Sequence, residues 1–141
     1  MSSEKELTTL PVAPLKLVVM QSCAELGKKV DDYIVQFRRK AHNEHKEGIE
    51  FKGYLEDSYI IDSVCPRFGT GEAKGQLLDS VRGTDLYILT DVCNHSITYD
   101  VFGHTNYMSP DNHFQDLKRI IAAVGGKARR ITVIMPFLYE S

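Results

Sequence analysis

The sequence predicts an α/β domain, an open and mostly parallel sheet flanked by helices. Three observations predict it. The runs Leu15–Met20, Asp85–Thr90 and Arg130–Met135 are short, apolar and rich in β-branched or aliphatic residues, as strands buried within a sheet are. Apolar residues at steps of three and four follow the first run and precede the last, which is the pattern of helices that cover a sheet. The stretch from Asp85 to Met135 thus reads strand, helix, strand, the unit expected to make a right-handed parallel crossover.

Composition bounds what such a domain can do. A chain of 141 residues with 43% hydrophobic composition is expected to form one domain, over residues 15–141, behind a polar tail at 1–14. With 17 basic against 19 acidic residues and a net charge of -2, neither nucleic acid nor an anionic membrane is an expected partner. Met1–Glu6 is polar, no basic stretch leads into an apolar one, and no run is long enough to span a bilayer. The odd trio Cys23, Cys65 and Cys93 fits reduced thiols better than a disulfide framework, so a cytoplasmic location is expected.

Pro11 and Pro14 hold the lead-in extended before the first strand. Ser22 and Glu25 have capping-box spacing, and the helix they would open carries Leu26, Val30, Tyr33, Ile34, Phe37 and Ala41 as an apolar stripe. Arg38, Arg39 and Lys40 suit the negative pole at its end. His42–Lys52 is polar and reads as a loop, Ser58–Val64 as a strand, and Pro66 with Gly69 as a turn. After the Asp85 strand, Cys93–Met108 is a long loop or an insertion. Ser109 followed by Pro110 marks a helix start, Phe114, Leu117, Ile121 and Val124 its apolar face, and Gly125-Gly126 its end. Pro136 stops the last strand.

Most chemistry-bearing patterns have plainer readings. Gly69–Gly75 carries three glycines, but Lys74 stands where a dinucleotide fingerprint wants glycine and no Gly-Lys-Ser or Gly-Lys-Thr follows, which favours a hairpin with glycines at positive φ. His42 and His45 lie three apart, yet no further ligand has zinc spacing, and no metal site is expected. Cys65 and Cys93 lack a visible base and read as packing residues, and Glu50, Glu56, Asp57 and Asp62 as solvated carboxylates. The loop Asn94–Tyr107, with His95, Tyr99 and His104, follows a strand at its carboxyl end, where open α/β sheets bind ligands.

Arg67-Phe68-Gly69-Thr70-Gly71-Glu72, followed by Asp79-Ser80-Val81-Arg82-Gly83-Thr84-Asp85-Leu86-Tyr87-Ile88, resembles the signature of the ribose-phosphate pyrophosphokinases: Phe-Ser-Asp/Asn-Gly/Gln-Glu, then Glu-Ser-Val-Arg-Gly-x-Asp-Val-Tyr/Phe-Ile. Leu15–Phe37 is similar to that family's first strand and helix, Asp111–Leu117 to a later helix start, and Arg130–Tyr139 to a strand end. The resemblance implies a phosphoribosyltransferase-like, Rossmann-like N-terminal domain, left incomplete at Ser141. It implies an enzyme that moves the diphosphoryl group of Mg-ATP to the C1 hydroxyl of ribose 5-phosphate, with Mg2+ as cofactor and a homo-oligomer as its working form.

Carried over position by position, the resemblance makes Phe68, Thr70 and Glu72 the adenine-contacting residues, on a loop that in the family reaches across a subunit interface. Phe68 can stack and Glu72 can accept from the exocyclic amine, whereas Thr70 stands where the family has Asp or Asn. Ser80 and Arg82 match a regulatory anion site, although Val81-Arg82-Gly83 could equally be a turn into the next strand. The resemblance assigns no catalytic residue and no metal ligand to this chain, which alone is expected to be inactive. The stretch between Arg38 and Cys65 and that from Cys93 to Met108 depart from the family as insertions, and a non-catalytic regulatory or assembly subunit is the alternative.

Overall fold

The structure, a computed structural model, describes residues 10–41 and 51–141. Most of the expected N-terminal tail and of the His42–Lys52 loop lies outside the described residues. The centre is a three-stranded parallel sheet of β1 (Leu15–Val19), β4 (Asp85–Leu89) and β7 (Arg130–Ile134), with β4 in the middle. Leu17 lies opposite Tyr87, and Tyr87 opposite Thr132, so one register runs across all three strands. β4 has four buried residues of five because it is covered on both faces, which is why its sequence does not alternate.

The two faces divide the helices. Val18, Leu86 and Ile88 point to α2 (Pro110–Val124) and pack with Leu117, Ile120 and Val124. Leu17 and Leu89 point the other way, towards Val35 of α1 (Ala24–Ala41), with Val30 and Ile34 alongside. α2 begins and ends as expected. Ser109 and Asn112 form a reciprocal capping box, Pro110 is the first helical residue, and Gly125 closes the helix at φ 59°.

α1 differs from expectation in two ways. Ser22 does not cap it: a 3-10 turn over Gln21–Cys23 comes first, and the Ser22 hydroxyl accepts from the Asp91 backbone N–H at 3.0 Å, tying the end of β1 to the end of β4. The apolar stripe is also rotated. Leu26, Tyr33 and Phe37 are exposed, and the face turned inward carries Gly27, Asp31 and Val35. Gly27 allows the helix to approach β1, since a Cβ there would lie 2.2 Å from Cγ1 of Val19. Asp31 is buried because it is satisfied. Its carboxylate accepts from the Tyr59 N–H at 2.7 Å and the Ser58 hydroxyl at 2.6 Å, which fastens Tyr59–Ile61 beside β1.

The expected strand Ser58–Val64 is therefore split. Tyr59–Ile61 pairs with β1 through Leu17, whose N–H donates to Tyr59 O and whose carbonyl accepts from Ile61 N. Ser63–Val64 (β2) then turns away to pair antiparallel with Gln76–Leu77 (β3). Their extension through an Arg67–Ala73 bridge makes a hairpin, with Gly71 at φ 88° in its tip. The Cys93–Met108 stretch, expected as a loop or insertion, is largely a second hairpin: β5 (Thr98–Val101) and β6 (His104–Tyr107) pair across a two-residue turn.

The first hairpin rests on α2 at Gly75, where a Cβ would come within 2.5 Å of the Arg119 backbone carbonyl. Gly75→Ala should therefore lower stability by about 1–3 kcal/mol, the usual consequence of overpacking against a backbone that cannot yield. Chemical denaturation of the two proteins, read by far-UV circular dichroism, measures it.

Candidate functional site

The carboxyl ends of β1 and β4 frame a crevice. Chain leaving β1 crosses through α1 to Tyr59–Ile61 on one side, and chain leaving β4 crosses through α2 to β7 on the other. The gap between them is the topological switch point at which open α/β sheets take ligands. The crevice measures about 560 Å³, within the usual size of small-molecule sites, and Gln21, Ser22, Thr90, Arg67, Tyr99 and Asp116 help to line it.

Its wall is held by a buried ion-pair cluster. Arg67 donates in bidentate fashion to Asp116 at 2.9 and 3.0 Å, with side chains only 7% and 8% exposed. Arg119 adds a third bond to Asp116 at 2.7 Å, and Nη1 of Arg67, one of the two nitrogens bonded to Asp116, also donates to the Cys65 carbonyl at 3.2 Å. Arg67 also lies over the Tyr99 ring at 5.0 Å, joining the two hairpins. The guanidinium is thus occupied in structure. His113 is anchored too, its Nε2 donating to the Asn94 carbonyl at 2.7 Å.

Cys65, on the same wall, has its thiol pushed up from 9.0 to about 11, first by burial and then by the nearby Asp116 carboxylate. That shift keeps the thiol protonated at neutral pH. Among the described residues, no group of three His, Cys, Asp or Glu converges to hold a metal ion. His42 and His45 lie outside the described residues. No helix among the described residues is long and apolar enough to cross a membrane.

The residues singled out in the sequence fall into two places. Phe68, Thr70 and Glu72 form the tip of the first hairpin, just outside the crevice whose wall Arg67 forms. There Phe68 N donates to Glu72 O at 2.7 Å, and the Thr70 hydroxyl donates to the Glu72 carboxylate at 3.3 Å. Phe68 is 49% exposed. Ser80 and Arg82 lie before β4, at its opposite end, in a tight turn where the Ser80 hydroxyl accepts from Arg82 N at 3.2 Å. The five residues of β4 put roughly 15 Å of strand between that turn and the crevice. His95 is exposed, whereas Tyr99 faces the crevice.

A model of the N-terminal domain of ribose phosphate pyrophosphokinase matches residues 15–141. The chain belongs to that family. Its fold is similar to that of a phosphoribosylpyrophosphate synthetase from Mycobacterium smegmatis, with a TM-score of 0.54 at 21% identity over 87% of this chain. The likeness takes in 30% of that synthetase's own chain. None of the curated proteins matches.

Two residues that matter to the site carried no signal of their own in the sequence. Asp116 sits among polar residues of α2 and shows its role only when the hairpin is laid against the helix. Phe102 stands in the turn after β5, and its contact with Gly69, far away in the chain, has no local signature.

Removing one member of the buried cluster strands the other charges. Asp116→Ala should lower stability by about 3–5 kcal/mol, and the paired replacement Arg67→Met with Asp116→Leu should recover most of that loss. Urea unfolding of the parent and the two variants checks this. The thiols should also separate by environment: Cys93 is exposed, Cys65 half-buried and Cys23 buried. At pH 8 a disulfide reagent should label Cys93 fast and the other two only as the protein opens. Because folding raises the Cys65 pKa, its contribution to stability is constant below pH 9.0 and declines as pH rises towards about 11.

Proposed function

We propose that the chain is the N-terminal part of a ribose-phosphate diphosphokinase, which transfers the diphosphoryl group of ATP to ribose 5-phosphate and releases AMP. The observation that carries this is the hairpin tip: Phe68 and Glu72 are presented at the rim of the switch-point crevice, on a stem held by Arg67, Asp116 and Gly75. A half-exposed aromatic ring beside a carboxylate is suited to stack on an adenine and accept its exocyclic amine. The chain's contribution is to position the nucleotide, which is a large part of catalysis in phosphoryl-type transfer.

Mg2+ would accompany the ATP phosphates. Ser80 and Arg82 suit a regulatory anion, since a guanidinium and a hydroxyl at a tight turn match a phosphate group. Their distance from the tip along β4 fits a homo-oligomer in which each tip serves a neighbour. Three free cysteines fit a cytoplasmic setting.

Thr70 favours a second reading. Its hydroxyl is spent on Glu72 rather than held as the amide or carboxylate of the family pattern, which suits a non-catalytic subunit that binds nucleotide and assembles with active enzyme. One assay separates the two. The full-length protein with Mg2+, ATP and ribose 5-phosphate should release AMP only when the sugar phosphate is present, and Phe68→Ala should raise KM for ATP by about tenfold. ATP binding without AMP release selects the regulatory reading, and absence of both refutes the function.

A further inference from the structure

The turn of the second hairpin places Phe102 in an unfavourable backbone conformation. Phe102 has φ 51° and Gly103 φ 75°, the geometry of a two-residue turn whose first position is ordinarily Asn, Asp or Gly. An aromatic residue in the left-handed region is disfavoured, and packing does not repay it, because Phe102 is 82% exposed. The ring is nonetheless placed. It lies against Gly69 of the first hairpin, where a Cβ would sit 3.0 Å from the Phe102 Cζ and 3.4 Å from its Cε1. Gly69 has no positive φ, and a side chain there would press on the ring.

Two exposed aromatic rings therefore sit at the tips of two hairpins that touch, Phe68 next to Gly69 on one and Phe102 on the other. The hairpins are joined a second time at their stems, where Arg67 lies over Tyr99. The Thr105 hydroxyl, donating to Asp100 at 2.7 Å, braces the strands just behind the turn. The second tip is thus mounted on the first rather than being an independent loop.

We infer that Phe102 is a further base-contacting residue, a second aromatic surface beside Phe68 on which the purine of the bound nucleotide stacks. The inference rests on the reading of the Phe68–Glu72 tip as the nucleotide-contacting element. It assigns a ligand-binding purpose to the hairpin that departs from the family pattern. A flat π-system is the ligand chemistry that two solvent-facing phenyl rings can recognise without hydrogen bonds.

The test uses the full-length protein and isothermal titration calorimetry with two probes, ATP and inorganic tripolyphosphate, which lacks the base. Phe102→Asn removes the ring but relieves the turn, so its melting temperature should hold or rise while ATP affinity falls by at least about fivefold. Phe102→Ala should show the same loss, Phe102→Tyr should retain affinity, and tripolyphosphate should bind all four proteins alike. Phe68→Ala is the control. If it weakens ATP binding while both ring-removing Phe102 variants bind as the parent does, the inference is overturned and the nucleotide tip stands. If Phe68→Ala also binds ATP normally, the reading of the tip fails and the inference falls with it. Loss of self-association in Phe102→Asn at unchanged ATP affinity would assign the ring to a protein contact and overturn the proposal as well.

Discussion

Asp116 accepts from Arg67 and Arg119 inside a wall where it is almost wholly sequestered, and this cluster joins three parts of the molecule that the backbone ladder leaves separate. The sheet and helices would form without it, because β1, β4, β7 and the two apolar cores are held by their own ladder and burial. The first hairpin has a short ladder, β2–β3 with the Arg67–Ala73 bridge, and rests on α2 and the edge of the core through Cys65 and Leu77. A short two-stranded ribbon is marginal alone, so its place depends on what ties it down. The bidentate pair does this, and the same guanidinium reaches Tyr99 to tie down the second hairpin.

This arrangement separates a rigid scaffold from the surface that meets the ligand. Buried charge is weak evidence for stability, since a well-packed apolar set could replace it, but it fixes direction: two parallel N–H bonds to one carboxylate permit one orientation of the hairpin stem. Cys65 keeps its proton in the same environment, and among the described residues no buried side-chain polar atom lacks a partner. The crevice wall is thereby chemically quiet. The reactive or adaptable groups are the exposed ones at the two tips.

The sheet shows a related division. Asp85 and Arg130 face each other across β4 and β7 at the amino ends of the strands, with bonds of 2.9 and 2.7 Å, and the Arg130 pKa is raised by that hydrogen bond. Hydrogen-bonded charges support the register there, and at the carboxyl ends the crevice opens where the connections leave β1 and β4 in opposite directions. Near the end of the chain Tyr139 bonds Asp111 of α2, which pushes its hydroxyl up to about 12 and turns its ring against Phe114.

The sequence by itself determined the strands at Leu15, Asp85 and Arg130, the ends of α2 and the family, because each rests on local composition, spacing or a contiguous motif. It placed Phe68, Thr70 and Glu72 on a turn with glycine at positive φ, and Gly71 bears that out, although Gly69 and Gly75 are glycines for close contact instead. Only the tertiary structure decided which side of α1 faces inward, since Asp31 is buried by partners 27 and 28 residues away while Tyr33 and Phe37 are left outside. It also decided the split at Asp62 and the meeting of Phe102 with Gly69. These depend on contacts between residues distant in the chain, and neither periodicity nor propensity carries information about a partner that far away.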